Sequence, residues 1–177
     1  TFTVNGVGIT QTGGAITQAA AAGAATFNAG AGVITLTQAN DFTGAVSLNN
    51  SGSNNVAVTD SDTIDLGAST VVAGDFAVSA TTGNISNSGT LDIGGNSTFT
   101  AASGADILLD SASNDFTGTV TFVASAGNLA NVTIVDVTAL DLEALNITGN
   151  LIATGAGITQ SGTLNIDGTS TFNAGAN

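Results

Sequence analysis

One stretch of this chain comes back three times. Residues 8–32 (GITQTGGAITQAAAAGAATFNAGAG), 84–105 (NISNSGTLDIGGNSTFTAASGA) and 157–176 (GITQSGTLNIDGTSTFNAGA) align by eye, each with a Thr-Phe pair followed by small residues near its end. Phe27, Phe99 and Phe172 mark equivalent places in the three copies, so the motif returns about every 73 residues. Asn40-Asp41-Phe42-Thr43-Gly44 returns as Asn114-Asp115-Phe116-Thr117-Gly118, and Ile64-Asp65-Leu66 as Leu140-Asp141-Leu142, at slightly wider spacings. Such self-similarity signals a repeat architecture, in which a unit buries its apolar face only by stacking on its neighbours. The chain reads as one solenoid over 1–177, with sequence units 1–75, 76–150 and a partial 151–177.

A finer rhythm lies inside each unit. Val33-Ile34-Thr35-Leu36, Ala45-Val46-Ser47-Leu48, Thr63-Ile64-Asp65-Leu66 and Phe76-Ala77-Val78 alternate apolar and polar residues, the period of a strand with one buried face. Gly, Asn, Asp and Ser separate these runs, as tight turns require. About 22 such runs start about 8 residues apart, so three of them make a coil of about 24 residues and three coils make a unit. The expected fold is all-β: a parallel β-helix of about seven coils with three short strands per coil. Ala19–Ala25, the one run with helical composition, contains Gly23 and is expected to be a loosened turn or bulge. Phe27, Phe42, Phe99, Phe116 and Phe172 are the expected stacking residues of the core.

Composition narrows the function. The chain has no Lys, Arg, His, Pro, Cys, Met, Trp or Tyr, and its 13 acidic residues give a net charge of −13. Without cations nothing neutralises phosphates, which argues against a nucleic-acid partner and against anionic lipid surfaces. No apolar run approaches the ~20 residues of a membrane span. Without His or Cys the usual metal sites and nucleophile–base pairs cannot be built. The chain starts without Met and its first residues already read as a strand, so a mature or excised piece is expected.

Any chemistry must therefore use carboxylates. Asp60 with Asp62, and Asp106 with Asp110, are the candidate ligands of a structural Ca²⁺ ion, which takes six to eight oxygens. The competing reading makes them turn residues that accept hydrogen bonds from nearby backbone amides. No calcium-loop motif is present, and no other cofactor is expected. Paired carboxylates also raise a glycosidase or lyase reading, but the chain lacks the cation that an acidic sugar would need, and no enzyme activity is expected.

Gly157-Ile158-Thr159-Gln160-Ser161-Gly162-Thr163-Leu164, Asn40-Asp41-Phe42-Thr43-Gly44-Ala45-Val46-Ser47-Leu48 and Ser170-Thr171-Phe172-Asn173-Ala174-Gly175 resemble the repeats of filamentous-haemagglutinin-like proteins, two-partner-secretion or autotransporter-type surface adhesins. The resemblance implies a right-handed β-helix, exported by a Gram-negative-type bacterium and displayed outside the cell as a fibre. The family's secretion domain carries Asn-Pro-Asn motifs, and this chain has no Pro, so the resemblance implies shaft rather than export domain. Implied partners are neighbouring repeats end to end and the surface of a host or neighbouring cell. The alternatives are a self-assembling extracellular filament subunit and, more remotely, a β-helix carbohydrate-active enzyme.

Overall fold

A computed structural model describes residues 1–175; positions 176 and 177, the end of the third sequence unit, lie outside the described residues. Short strands alternate with tight corners. They begin with β1 (Phe2–Asn5), β2 (Ile9–Thr10), β3 (Ala25–Asn28), β4 (Ile34–Asn40), β5 (Val46–Asn50), β6 (Val56–Asp60), β7 (Ile64–Leu66) and β8 (Ser69–Val71). Next come β9 (Phe76–Ala80), β10 (Ile85–Asn87), β11 (Leu91–Ile93), β12 (Ser97–Ala101), β13 (Ile107–Leu109), β14 (Asp115–Phe116) and β15 (Thr119–Ala124). The last are β16 (Val132–Val135), β17 (Ala139–Leu142), β18 (Leu145–Ile147), β19 (Leu151–Gly155), β20 (Gly157–Gln160), β21 (Leu164–Ile166) and β22 (Ser170–Ala174). Among the described residues there is no helix.

Every strand pairing among the described residues is parallel, and each joins one coil to the next. One face of the solenoid is the ladder β2-β4-β6-β9-β12-β15-β17-β20. A second face runs β7-β10-β13-β16-β19-β22, and a third runs β1-β3-β5-β8-β11-β14. The second and third faces part at β5, where Val46 pairs with Leu66 of β7 while Asn49 and Asn50 pair with Thr70 and Val71 of β8.

Eight strands in the first ladder make about eight coils rather than seven. The coils are shorter on average than expected, and less uniform. Asn131 lies one coil above Asp106 and 25 residues on, whereas Asn150 lies one coil above Asn131 and only 19 on. Long strands such as β5 serve two faces at once, so the same number of strands spreads over more coils.

Alternation buries one side of each strand. Val46, Leu48, Val56, Ile64, Leu66, Ile85, Leu91, Ile93 and Ile107 are enclosed within the coils, while their neighbours along the chain point outward. Corners bring backbones so close that side chains do not fit. A Cβ on Gly74 would collide with the carbonyl of Asn54 in the coil below, and one on Gly94 with that of Val72. Ala19–Ala25 is mostly irregular, with a turn closed by Ala22 N–H donating to the Ala19 carbonyl and Ala21 at a φ of 59°.

The sequence period is not a whole number of coils. Phe27 lies on the third face, in register with Val4 and Leu48; Phe99 lies on the first, between Val78 and Phe122; Phe172 lies on the second, against Ala153. Three coils fall short of one sequence period, so each repeat of the sequence carries its motif onward to the next face. The motifs therefore follow a spiral around the axis instead of returning to one face. Phe27, Phe42, Phe99 and Phe116 are nonetheless buried, each packing on other rings: Phe27 on Phe2 and Phe42, Phe99 on Phe76, Phe116 and Phe122. Phe172 differs, standing 48% exposed in the last described coil.

Candidate functional site

Corner residues lose the strand ladder as a source of hydrogen bonds, and their N–H groups need another acceptor. Short side chains one coil below supply it. Thr63, Asn84, Asp106, Asn131, Asn150 and Thr169 each stand just before a second-face strand. Asp106 N–H donates to Asn84 Oδ1 at 2.9 Å, Asn131 N–H to Asp106 Oδ1 at 3.0 Å, Asn150 N–H to Asn131 Oδ1 at 2.8 Å and Thr169 N–H to Asn150 Oδ1 at 2.8 Å. A second column does the same before the first face: Asp75 N–H donates to Asn55 Oδ1, Asn96 N–H to Asp75 Oδ1, and Thr119 N–H and Oγ1 to Asn96 Oδ1.

These columns explain why Asn, Asp and Thr interchange between repeats: each offers one acceptor oxygen at the same reach. Asn96→Ala is expected to cost about 0.5–1.5 kcal/mol, the net worth of an exposed hydrogen bond, while Asn96→Asp stays near the parent. Urea titration of both variants measures the difference.

A buried polar clamp recurs between units and binds three successive coils. Asn40 and Asn114 are fully enclosed. In the first unit, Asn40 Oδ1 accepts from Gln11 Nε2 at 2.7 Å and from Ile16 N–H at 2.8 Å, while its Nδ2 donates to the carbonyls of Leu36 and Thr59 at 3.0 Å. In the second, Asn114 Oδ1 accepts from Asn87 Nδ2 at 2.9 Å and from Leu91 N–H at 3.0 Å. The coil above each Asn adds a carboxylate. Asp60 Oδ2 accepts from Phe42 N–H at 2.9 Å, and Asp136 Oδ1 accepts from Phe116 N–H at 3.2 Å. The repeated Asn-Asp-Phe-Thr-Gly is thus a joint: Asn ties downward, Phe enters the core, and the Phe N–H is held from above.

The two copies differ in one atom's fate. Gln11 Oε1 accepts from Gln38 N–H and from Asn40 Nδ2, both at 3.2 Å. Asn87 is one methylene shorter, and its buried Oδ1 has no hydrogen-bond partner. Asn87→Gln is expected to raise stability by about 1 kcal/mol by restoring the longer reach, read as a higher urea midpoint at unchanged slope.

The calcium candidates fall into these same roles. Asp60 is buried and serves Phe42 and, through Oδ1 at 3.1 Å, Asp62 N–H; Asp62 itself is exposed. Asp106 is a rung of the corner column, and Asp110 is exposed at the end of β13. Among the described residues no three acidic side chains converge on one point. Burial pushes the Asp60 carboxyl up to about 6. The Asp62 and Phe42 N–H groups pull it back in part, and the Asp62 side chain adds a smaller upward push.

The clamp is a feature that motif reading passed over. Its signal was present: Asp60 stands four residues before Ile64-Asp65-Leu66 and Asp136 four before Leu140-Asp141-Leu142, so this repeat extends upstream to a shared Asp.

No curated protein and no solved structure matches the chain. A family described as repeats of unknown function (DUF5649) matches residues 1–49, 53–123 and 129–177. The matched segments begin at a different point in the cycle from units 1–75, 76–150 and 151–177, but positions 53 and 129 are as far apart as Asp60 and Asp136. With nearly the whole length matched, and with a clamp that recurs at that spacing in a parallel β-solenoid, the chain belongs to the family of DUF5649 repeats.

Proposed function

We propose that the chain is a shaft segment of a secreted or cell-surface fibrous adhesin of the filamentous-haemagglutinin-like kind: a stiff spacer outside the cell, without catalytic activity. The observation that carries this reading is the unbroken side-chain column from Thr63 to Thr169, in which six coils use one and the same joint. A joint that can be repeated without limit suits an object whose task is length. Each added coil extends the rod by about 4.8 Å, so these eight or so coils span roughly 35–40 Å. The absence of Lys and Arg leaves no trypsin site, and the absence of Met and Cys removes the easily oxidised side chains. Uniform negative charge keeps neighbouring rods apart.

The test is antibody labelling of intact cells, followed by electron microscopy. Label along fibres of constant width on unpermeabilised cells is the expected result; label only after permeabilisation, or on globular particles, overturns the proposal. A second reading, a filament subunit stacking end to end, rests on the same parallel pairing, which can join a coil to the next across two chains as well as within one. A rod whose length in solution rises with concentration is its signature.

A further inference from the structure

The third face carries an amide ladder on its outer side. Asn5, Asn28, Asn49 and Thr70 stand in register on β1, β3, β5 and β8, one per coil. Asn28 Nδ2 donates to Asn5 Oδ1 at 2.8 Å, Asn49 Nδ2 to Asn28 Oδ1 at 2.9 Å, and Thr70 N–H to Asn49 Oδ1 at 3.1 Å. A primary amide has two donor hydrogens and two acceptor lone pairs. Asn28 and Asn49 each spend one of both along the column, so each keeps one donor and one acceptor for a ligand. Thr3, Thr26 and Ser47 form a column of hydroxyls beside them. At the corner where these strands end, a hollow of about 260 Å³ opens among Asn28, Asn49, Ser51, Thr70 and Val72. Val72 is 54% exposed. The chain has 13 acidic residues, yet none enters the column until Asp92, one coil above Thr70.

We infer that this ladder and its hollow bind a neutral, extended glycan laid along the rod axis, with one sugar ring per coil. The inference goes beyond the shaft reading, because it gives the side of the rod a task as well as its length. Sugar hydroxyls both donate and accept, which is what the unspent amide groups require. Coils repeat every ~4.8 Å, and an extended chain of β-linked hexopyranoses advances by nearly the same step, so one contact recurs on successive coils. Val72 offers an apolar patch for the C–H face of a ring. Other occupants fit less well. An acidic glycan or a second copy meets the net charge of −13 with charge of the same sign. A peptide strand finds no edge to pair with, since β3 and β5 are each paired on both sides. The chain has no Trp or Tyr on which a ring stacks, so each contact is weak and repetition along the ladder supplies the strength.

Cellohexaose, a neutral and extended β-linked glucan, is titrated into the isotope-labelled full chain and followed by amide NMR shifts. Maltohexaose, which coils, and hexagalacturonate, which is acidic, are the comparisons. Saturable shifts at Asn28, Asn49 and Thr70 are expected with cellohexaose, at a Kd of about 1 mM, with maltohexaose about tenfold weaker and no shift with hexagalacturonate. Asn49→Asp copies Asp92 and keeps the acceptor for Thr70 N–H; it is expected to weaken cellohexaose about tenfold. Asp92→Asn carries the neutral ladder one coil further and is expected to strengthen binding about threefold, a gain that misfolding does not produce. No saturable shift with cellohexaose up to about 10 mM overturns the inference. So do shifts confined to another face, equal binding of all three probes, or a Kd unchanged in both variants. Fibre labelling on cells is independent of these outcomes, so the failure of the glycan site and the failure of the shaft reading are separate results.

Discussion

Phe99→Ala is expected to lower the free energy of unfolding by about 3–5 kcal/mol, the range for removing a fully buried aromatic ring. Phe99 has no exposed surface and lies at the meeting point of three coils. Its ring stacks on Phe122 at 5.9 Å and meets Phe76 and Phe116 edge-on at 6.0 and 6.1 Å. The backbone around it cannot collapse into the space left behind, because β12 is held in register by β9 below and β15 above. The cavity therefore persists, and its cost adds to the lost transfer energy. Phe172→Ala is the matched control: the ring is 48% exposed, and its removal is expected to cost under about 1 kcal/mol. Urea unfolding followed by circular dichroism decides. In a near one-dimensional stack the Phe99 variant is also expected to show a shallower transition, as coils on either side of the cavity unfold separately. A loss below about 1 kcal/mol for Phe99→Ala contradicts the packed core described above.

Strand identity and the parallel stack were legible because both depend on local pattern. Alternation in Ile64-Asp65-Leu66 or Phe76-Ala77-Val78 needs only a buried side and an exposed side, and the repeat requires neighbours. Coil length was not legible in the same way. It depends on whether a run such as Val46–Asn50 bends between faces or stays on one, and that is decided by which residues of the next coil it meets, here Leu66 at one end and Thr70 at the other. A few residues' error per coil, accumulated over three coils, moves Phe99 from the face of Phe27 to a different one. The clamp was hidden for a related reason. Gln11 and Asn40 are 29 residues apart and Asn87 and Asn114 are 27 apart, so no short motif contains both partners. Nor does the spacing of Asp60 and Asp62 show that the first carboxylate turns inward while the second stays in water.

That inward turn makes the first unit sensitive to pH. The free energy of unfolding of the parent chain, measured relative to Asp60→Asn, is expected to rise as pH falls from about 7.5 to 4, with an inflection near 6. The sign follows from linkage. Folding raises the Asp60 carboxyl from 3.8 to about 6, chiefly through burial, so the folded chain holds this proton more tightly than the unfolded chain does. Its stabilising contribution is then complete below about 3.8 and is lost as pH rises through 6. The span corresponds to roughly 3 kcal/mol at most. Asp60→Asn removes the titration and also costs one of the two backbone acceptors, for Phe42 or Asp62, so the pH-dependent difference is the informative quantity and not the offset at one pH. Replacing Asp62 by Thr, the residue found at the equivalent place beside Asp136, separates the causes. Burial dominates, so the inflection is expected to move down only part of the way toward 3.8 in Asp62→Thr. Its complete disappearance in that variant gives the leading role to repulsion between the two carboxylates, and an inflection absent from the parent removes the buried ionisable joint altogether.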